Sequence, residues 1–429
     1  MGQCLAGARR ALFDSLRDSA RAPLPPEADG KEGRGARWTE AKALVKAQLR
    51  AWHQSHPGGD VPNELPAACE VLVKELLGAR ASSEKEVASF VRYTHLDFLR
   101  TEGPSPKPRS EAEWRQLFPR YPAEADSTEG YLRCFEVSDG AGIRGALETY
   151  GLCVVQVLSR EECEATVGAM FEEINALRSA KDIQGPAISV DDPATWSTQN
   201  WPSGSKFLMD TVALHARAFD NRCHPKVYEA FCSAWSEQRL RVSVDRWGVA
   251  RGAKHNRRWQ SSLRPHWDLN PWQLLRDSEN EVDSGYQGLI ALRDQDAETG
   301  CHLTLPGCCH FLRQWSLERK LDKVSTTRKS FKAAEDDPIL GYMQPVPLRQ
   351  GQMLIWRCGQ LHGSTKNSGE RMRLTQFVRM FPAKEAGWKV NYEELDTFSV
   401  LRLKNRDRQV LEQLDLSPLG RKLLALDTY

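Results

Sequence analysis

Two histidines and one aspartate in this chain have the types and spacing of a metal site. His266 and Asp268 are one residue apart, and His362 follows much later in the sequence. Two imidazoles and one carboxylate are the ligands of non-haem Fe(II) oxygenases, and they leave coordination positions open. Arg371 and Arg373 follow His362 by nine and eleven positions, where a 2-oxoglutarate enzyme needs a cation for the far carboxylate of its co-substrate. The pattern predicts a reaction type and leaves the substrate open.

A His-x-Asp tripeptide is weak evidence by itself, because a chain with ten histidines contains about one by chance. This chain has a second one, His95-Leu96-Asp97, in a stretch with a helical pattern. Residues two apart on a helix point about 200° apart and cannot readily chelate one ion. We therefore expect no metal at this second tripeptide.

The tripeptide that begins at His266 lies among predicted strands, where alternate residues share a face. We expect His266 and Asp268 to point into the fold and Trp267 to point outward. His362 follows the β-rich run Met353–Trp356, so a neighbouring strand can bring it to the same ion.

The two arginines that follow the second histidine could bind a carboxylate through their planar guanidinium groups. Because Arg371 and Arg373 are two residues apart, we expect both on one face of the next strand. The sequence leaves open which of them holds the co-substrate.

Short β-rich runs separated by turn residues recur between residues 152 and 380. They are Leu152–Leu158, Leu240–Asp245, Gly288–Leu292, His302–Leu305, Met353–Trp356 and Leu374–Met380. Many short strands without alternating helices favour a barrel or a sandwich. Ser159 and Glu162 have the spacing of a capping box, which predicts the start of a helix.

We divide the chain into an N-terminal helical and linker region (1–140), a catalytic domain (141–383) and a C-terminal helical extension (384–429). Within the first region, residues 21–37 are rich in proline, glycine and charge and predict a linker. Residues 38–100 have helical periodicity. The sequence assigns no chemistry to the N-terminal region and sets no oligomeric state.

The composition is typical of a globular protein, with 40% hydrophobic and 27% charged residues. A net charge of +2 argues against nucleic-acid binding by bulk charge. Eleven scattered cysteines without a Cys-x-x-Cys pair predict reduced thiols rather than a zinc site. Without an apolar run of about 20 residues, no membrane span is predicted. We expect an intracellular, cytoplasmic protein, and the Arg/Ala-rich N-terminus leaves organellar targeting open.

A basic segment precedes the first histidine. Between Asp245 and Arg264 the chain carries six arginines and lysines and one acid. Such a loop either borders the pocket and binds an anionic substrate or is simply solvated, and the two interpretations weigh equally. Arg258, Arg264 and Trp272 are the candidate substrate residues. Base stacking on its tryptophans is a less favoured alternative.

The motifs resemble those of the phytanoyl-CoA dioxygenase-like branch of the Fe(II)/2-oxoglutarate-dependent dioxygenases. The resemblance covers roughly residues 148–383. It rests on Gly151–Ser159, Glu298–Cys301, Pro306-Gly307, Gly351-Gln352, His362-Gly363-Ser364, Asn367-Ser368 and Arg371-Met372-Arg373.

The resemblance implies a double-stranded β-helix (jelly-roll, cupin-like) core with helices outside it. It implies Fe(II), held by the two histidines and the aspartate, and 2-oxoglutarate and O₂ as co-substrates. It implies that Arg373 clamps 2-oxoglutarate, with Arg371 as the alternative and Ser364 and Thr375 as helpers.

Two motifs depart from the family pattern without touching the metal ligands. Cys308-Cys309 stands between Pro306-Gly307 and His310, which displaces the usual histidine by one position, and Gly351-Gln352 replaces a usual Gly-Asp. Related halogenases replace the carboxylate ligand by Gly or Ala, so the presence of Asp268 favours hydroxylation or another oxidation.

We therefore expect a dioxygenase that oxidises a small, anionic organic substrate. One alternative is the same chemistry on a protein side chain or a methylated base. A second is a catalytically inactive jelly-roll binding module, against which the retention of all three ligands and the arginine argues. Substrate identity and reaction outcome cannot be set from sequence.

Overall fold

A computed structural model of the chain describes residues 31–55, 64–77, parts of 87–102, 108–125, 127, 130–271, 285–318, 331–383 and 413–429. The chain forms two compact units. Of the described residues, the smaller unit holds those up to Pro108, together with 270–271 and 313–318, and the larger unit holds the rest.

The smaller unit contains helices α1 (Lys31–Ser55) and α2 (Glu64–Leu77). Ala41, Val45 and Leu49 repeat at intervals of four on α1 and are buried, as expected of one face of an amphipathic helix. Helix α1 begins inside the predicted linker at 21–37, so the last part of that stretch is helical. The earlier part lies outside the described residues.

The remaining elements are given in chain order. The helices are α3 (Glu111–Leu117), α4 (Gly140–Tyr150), α5 (Arg160–Ala180), α6 (Ala216–Arg222), α7 (Pro225–Trp235), α8 (Cys308–Leu317) and α9 (Pro418–Leu423). The strands are β1 (Cys134–Glu136), β2 (Leu152–Gln156), β3 (Leu208–Val212), β4 (Leu240–Val242), β5 (Arg246–Ala250), β6 (His266–Trp267), β7 (Tyr286–Ala291), β8 (His302–Thr304), β9 (Phe331–Lys332), β10 (Gln344–Val346), β11 (Gln352–Arg357), β12 (His362–Ser364), β13 (Arg373–Val378) and β14 (Met380–Pro382). Short 3₁₀ helices span Pro193–Trp196, Arg257–Trp259 and Pro338–Tyr342.

Two β-sheets form the centre of the larger unit. The first has seven strands in the order β1-β2-β11-β7-β13-β5-β3, and the second has five in the order β10-β8-β12-β6-β9. All of these pairs are antiparallel except β1 with β2. Helices pack outside the sheets. The predicted fold class, a double-stranded β-helix core with flanking helices, is confirmed.

The strand β2 lies inside the seven-stranded sheet, and its first four residues are buried. The chain enters it from α4 through Gly151, whose φ of 74° is left-handed and favours glycine. It leaves it through the predicted capping box, in which Ser159 and Glu162 satisfy each other's backbone N–H at the start of α5. The strand–helix unit predicted at this position is therefore present.

The predicted strands appear, with bounds that differ by a few residues: β2 ends two residues before the predicted Leu158, whereas β11 extends one residue beyond Met353–Trp356 at each end. The run Leu374–Met380 divides into two strands, because β13 ends at Val378 and β14 pairs with β4 in a separate two-stranded sheet. In the C-terminal extension, the described residues contain α9. The division at residues 140 and 383 remains a prediction, and β1 precedes its first boundary. No helix among the described residues is long and apolar enough to cross a membrane.

Candidate metal centre

The pairing of two strands from distant parts of the chain brings the two histidines together. His362 on β12 lies directly opposite His266 on β6, and Asp268 follows in the bend after β6. His266 Nε2 is 3.2 Å from Asp268 Oδ1, and His362 Nε2 is 3.5 Å from Asp268 Oδ2. Each residue offers one ligand atom, and these atoms all lie within 4.8 Å of one another. Two imidazole nitrogens and a carboxylate oxygen at this spacing fit a facial triad for Fe(II).

The backbone fixes the orientation of both imidazoles. His266 Nδ1 is 2.9 Å from the carbonyl oxygen of Arg264, and His362 Nδ1 is 3.0 Å from that of Gln360. An Nδ1–H that donates to a carbonyl leaves Nε2 unprotonated and free to bind a metal. The donor set is therefore arranged for a metal before any ion is bound.

Asp268 is held as a carboxylate by its neighbours. Burial raises the pKa of its carboxyl group, but the hydrogen bonds and charges of His266 and His362 outweigh burial and hold the pKa well below its ordinary range. For His266, burial lowers the pKa, and the hydrogen bond and charge of Asp268 reverse this into a net increase. Gln287 on β7 donates from Nε2 to Asp268 Oδ2 at 3.0 Å.

Replacement of Gln287 by leucine is expected to weaken Fe(II) binding about 10- to 100-fold, which is the usual cost of losing a group that orients a metal ligand. The reason is that Asp268 loses the hydrogen bond that fixes its carboxylate. Competition with a chelator of known affinity measures the change. Gln184→Leu, at an exposed glutamine that bonds within its own turn, is the matched control. Equal Fe(II) affinity in the two variants would count against this role.

The side chain between the first two ligands is not directed to solvent. Trp267 was expected to point outward, but it is fully buried, and its ring stacks on Phe331 of the neighbouring strand β9 at 6.3 Å. Phe331, which lies opposite Trp267 on the neighbouring strand, contributes its ring to this burial, and a period-two pattern in β6 alone cannot reveal it.

Arg373 is a buried cation without an acidic partner. It is 3% exposed, and it forms no ion pair within the part of the chain that the structure describes. Its Nε donates to Gln295 Oε1 at 3.0 Å, and its guanidinium lies 4.9 Å from the centre of the Phe207 ring. Burial lowers its pKa to about 10, so it is still charged at neutral pH. A buried charge without a counterion suits an anionic ligand.

Arg371 lies in a different environment. The expectation that both arginines share one face of a strand is wrong, because β13 begins only at Arg373 and Arg371 lies in the preceding bend. Its side chain is half exposed and pairs with Asp296 at 2.8 Å. The turn before the strand interrupts the alternation that would have placed the two side chains together.

The two hydroxyl groups predicted to help bind the co-substrate belong to Ser364 and Thr375. Ser364 lies on β12 with His362, and Thr375 lies on β13 with Arg373. Ser364 Oγ accepts from the Leu263 N–H at 2.9 Å, and Thr375 Oγ1 accepts from Gln295 Nε2 at 3.0 Å. Each hydroxyl keeps its own hydrogen for donation to a ligand. Gln295 contacts both Arg373 and Thr375, so it sets the position of the cationic side of the site.

Two further buried side chains flank the ligand His362. The ring of His302 on β8 stacks on it in parallel, with ring centres 5.6 Å apart, and the ring of Trp356 on β11 lies 5.4 Å away. Burial, followed by the charges of His362 and Arg373, lowers the pKa of His302 well below its ordinary value. The imidazole of His302 is therefore neutral.

The candidate substrate residues are not all available for an anion. Arg264 pairs with Glu335 at 3.0 Å. Arg258 is exposed on a short 3₁₀ helix and forms no ion pair within the described residues. Trp272 lies outside the described residues. Arg258 is thus the better candidate of the two arginines.

Other cations of the basic segment are already engaged. The guanidinium of Arg251 is buried between the rings of Trp201 and Trp259, 4.7 Å from each ring centre. Lys254 pairs with Glu370 at 2.8 Å on the surface. The segment is therefore partly structural rather than a uniformly solvated basic loop.

The second His-x-Asp tripeptide has other partners. Asp97 accepts ion pairs from Lys42 at 3.0 Å and Lys46 at 2.8 Å. His95 is buried, and burial lowers its pKa to about 4. The metal-like cluster found among the described residues is the one at His266, Asp268 and His362.

Sequence reasoning missed four residues that support the site from other segments. Gln287, His302 and Trp356 lie on strands, and Gln295 lies in an isolated bridge with Leu348. Glutamine and tryptophan carry no metal-ligand signal, and His302 lies outside the motifs from which the site was predicted. Side chains on the same face of paired strands lie close together, but this rule could have identified these residues only once the strand pairing was known.

Comparison with known proteins gives consistent matches. The family described as Phytanoyl-CoA dioxygenase (PhyH) matches residues 147–375. A Dictyostelium discoideum protein named "Putative phytanoyl-CoA dioxygenase" is 24% identical over 311 residues, which is 65% of this chain and 85% of that protein. Ava biosynthesis cluster protein O of Aspergillus versicolor is 22% identical over 208 residues, which is 46% of this chain and 64% of that protein.

Among solved structures, the non-haem alpha-ketoglutarate-dependent carbocyclase SnoK from nogalamycin biosynthesis is 16% identical, with a TM-score of 0.39. The match covers 62% of this chain and 94% of that one. The match to the family spans more than half of the 429 residues. The chain therefore belongs to the phytanoyl-CoA dioxygenase family and is an oxidoreductase that uses Fe(II), 2-oxoglutarate and O₂.

Proposed function

We propose that His266, Asp268 and His362 bind the Fe(II) ion and that Arg373 holds the far carboxylate of 2-oxoglutarate. The observation that carries this assignment is the buried guanidinium of Arg373, which has no acidic partner among the described residues. Arg373 begins β13, the strand that follows the one that carries His362. Arg371 is excluded from the clamp in this proposal because it is half exposed and already paired with Asp296.

When bound, Fe(II) and 2-oxoglutarate supply the activation of O₂ and the oxidation of a substrate C–H bond, with succinate and CO₂ as co-products. The chain itself contributes three things. Backbone carbonyls orient the two imidazoles, Gln287 orients the carboxylate of Asp268, and Gln295 orients Arg373. These contacts arrange the site before its ligands arrive, which is the main protein contribution in a cofactor enzyme.

We propose that the primary substrate is a small organic molecule. The ligand side chains are largely enclosed, since those of His266 and His362 are 13% and 6% exposed. A site of this depth favours a compact substrate over a folded macromolecule. An anionic group on that substrate is supported by Arg258, which is exposed and forms no ion pair in the described part of the chain. The retained Asp268 supports hydroxylation as the outcome.

Formation of succinate from 2-oxoglutarate tests the proposed function. Protein purified without oxygen and loaded with Fe(II) is expected to produce succinate under air, and a panel of small carboxylates and phosphates is expected to contain a compound that stimulates it. Omission of Fe(II) or of 2-oxoglutarate provides the blanks. Failure of the Fe(II)-loaded protein to bind 2-oxoglutarate in a calorimetric titration would contradict the proposal.

A further inference from the structure

Two buried polar nitrogens beside the metal centre have no hydrogen-bond partner among the described residues. They are His302 Nε2 and Trp356 Nε1. The side chains are 3% and 2% exposed, so water does not easily replace the missing partners. A buried donor or acceptor that is left without a partner costs about 1–3 kcal/mol. Two of them side by side therefore indicate that a further group belongs there.

The side chains of His302 and Trp356 come from different sheets and meet beside the ring of His362. His302 lies opposite Ser364 in the five-stranded sheet, two residues from the ligand His362 on the same face. Trp356 lies opposite Gln287 in the seven-stranded sheet. Their rings are 4.7 Å apart, and both contact the ring of His362.

The chemistry of the pair calls for a hydrogen-bond acceptor. An indole nitrogen can only donate, and a neutral imidazole has one N–H to donate. The missing group thus lies beside the proposed iron ligand His362, whose ring both side chains contact. A dicarboxylate that spans the iron and Arg373 has acceptor oxygens for both donors.

We propose that His302 and Trp356 form a second polar anchor for 2-oxoglutarate, donating Nε2–H and Nε1–H to oxygen atoms of the bound co-substrate. This inference rests on the proposed function. The two residues are positioning residues for the co-substrate and do not bind the metal. They also restrict the space beside His362 to a ligand that can accept hydrogen bonds.

The test is anaerobic calorimetric titration of Fe(II)-loaded protein with 2-oxoglutarate, together with chelator competition for Fe(II). His302→Leu and Trp356→Phe are each expected to raise the 2-oxoglutarate Kd roughly tenfold to a hundredfold, the effect of losing a hydrogen bond to a charged group. Fe(II) affinity and Tm are expected to change little. His302→Gln keeps an N–H donor and is expected to recover part of the affinity.

Two matched controls remove the same groups elsewhere. His310→Leu removes an exposed histidine on α8, and Trp235→Phe removes an indole N–H that donates to the carbonyl of Met380. Neither is expected to change the 2-oxoglutarate Kd. If His302→Leu fails to fold, the 2-oxoglutarate Kd of Trp356→Phe alone tests the inference.

The inference is overturned if both site variants bind 2-oxoglutarate within twofold of the unchanged protein, or if Fe(II) affinity falls as much as 2-oxoglutarate affinity. A different result separates the proposed function from the inference. If the unchanged Fe(II)-loaded protein itself fails to bind 2-oxoglutarate, the proposed function is wrong, and the proposed role of His302 and Trp356 is wrong as well.

Discussion

Replacement of Asp268 by alanine is expected to abolish Fe(II) binding and succinate formation together. The carboxylate is the single anionic ligand of the proposed triad, and it lies within 3.5 Å of both imidazoles. Loss of a group that only orients a ligand costs about 10- to 100-fold in metal affinity, so loss of the ligand itself is expected to cost more than about 100-fold. Metal content after dialysis and succinate formation from 2-oxoglutarate measure the two effects.

The second His-x-Asp tripeptide offers an internal control for this prediction. Asp97→Ala removes an aspartate in the same local sequence pattern, but Asp97 pairs with two lysines rather than with imidazoles. It is expected to leave Fe(II) content and turnover unchanged. Comparable turnover by Asp268→Ala and the unchanged protein would rule out the assignment of the iron site.

Replacement of Arg373 by alanine is expected to raise the 2-oxoglutarate requirement by about 100-fold or more. Breaking a buried charge pair typically costs 3–5 kcal/mol, because the remaining charge is left without a partner. Here that remaining charge is the far carboxylate of the co-substrate. The KM for 2-oxoglutarate and its Kd under anaerobic conditions measure the loss, and Fe(II) affinity is expected to stay within a few-fold.

Arg371→Ala is the matched control for the clamp. Its exposed pair with Asp296 contributes only about 0.2–1 kcal/mol to stability, as surface pairs do, and the 2-oxoglutarate KM is expected to change less than about threefold. Arg373→Lys keeps the charge but loses the planar fork and is expected to fall between the two. A larger effect from Arg371→Ala than from Arg373→Ala would reverse the assignment.

Much of the core of the site could be predicted because it depends on local rules. The alternation of side chains along a strand predicted His266 and Asp268 on one side of the chain, and the two do lie together, although β6 ends at Trp267 and Asp268 lies in the bend that follows. The β-rich run before His362 correctly indicated a strand, and the register His362–His266 completes the cluster.

The contacts that distinguish the two arginines could not be predicted in this way. Arg371 meets Asp296 and Arg373 meets Gln295, and both contacts join segments more than 70 residues apart in the sequence. A bend before β13 decides which arginine enters the fold, and period-two reasoning assumes that no such bend occurs. The burial of Trp267 escaped prediction for a similar reason, since its ring packs against Phe331 from a distant segment.

The register between β6 and β12 also makes the metal ion a cross-link. Strand β6 has only two residues, and its pairing with β12 is a single register position. An ion bound by both histidines would fasten this short strand to a partner far away in the sequence, and its binding free energy would add to the free energy of unfolding. The amount of folded protein would then depend on the supply of iron as well as on the sequence.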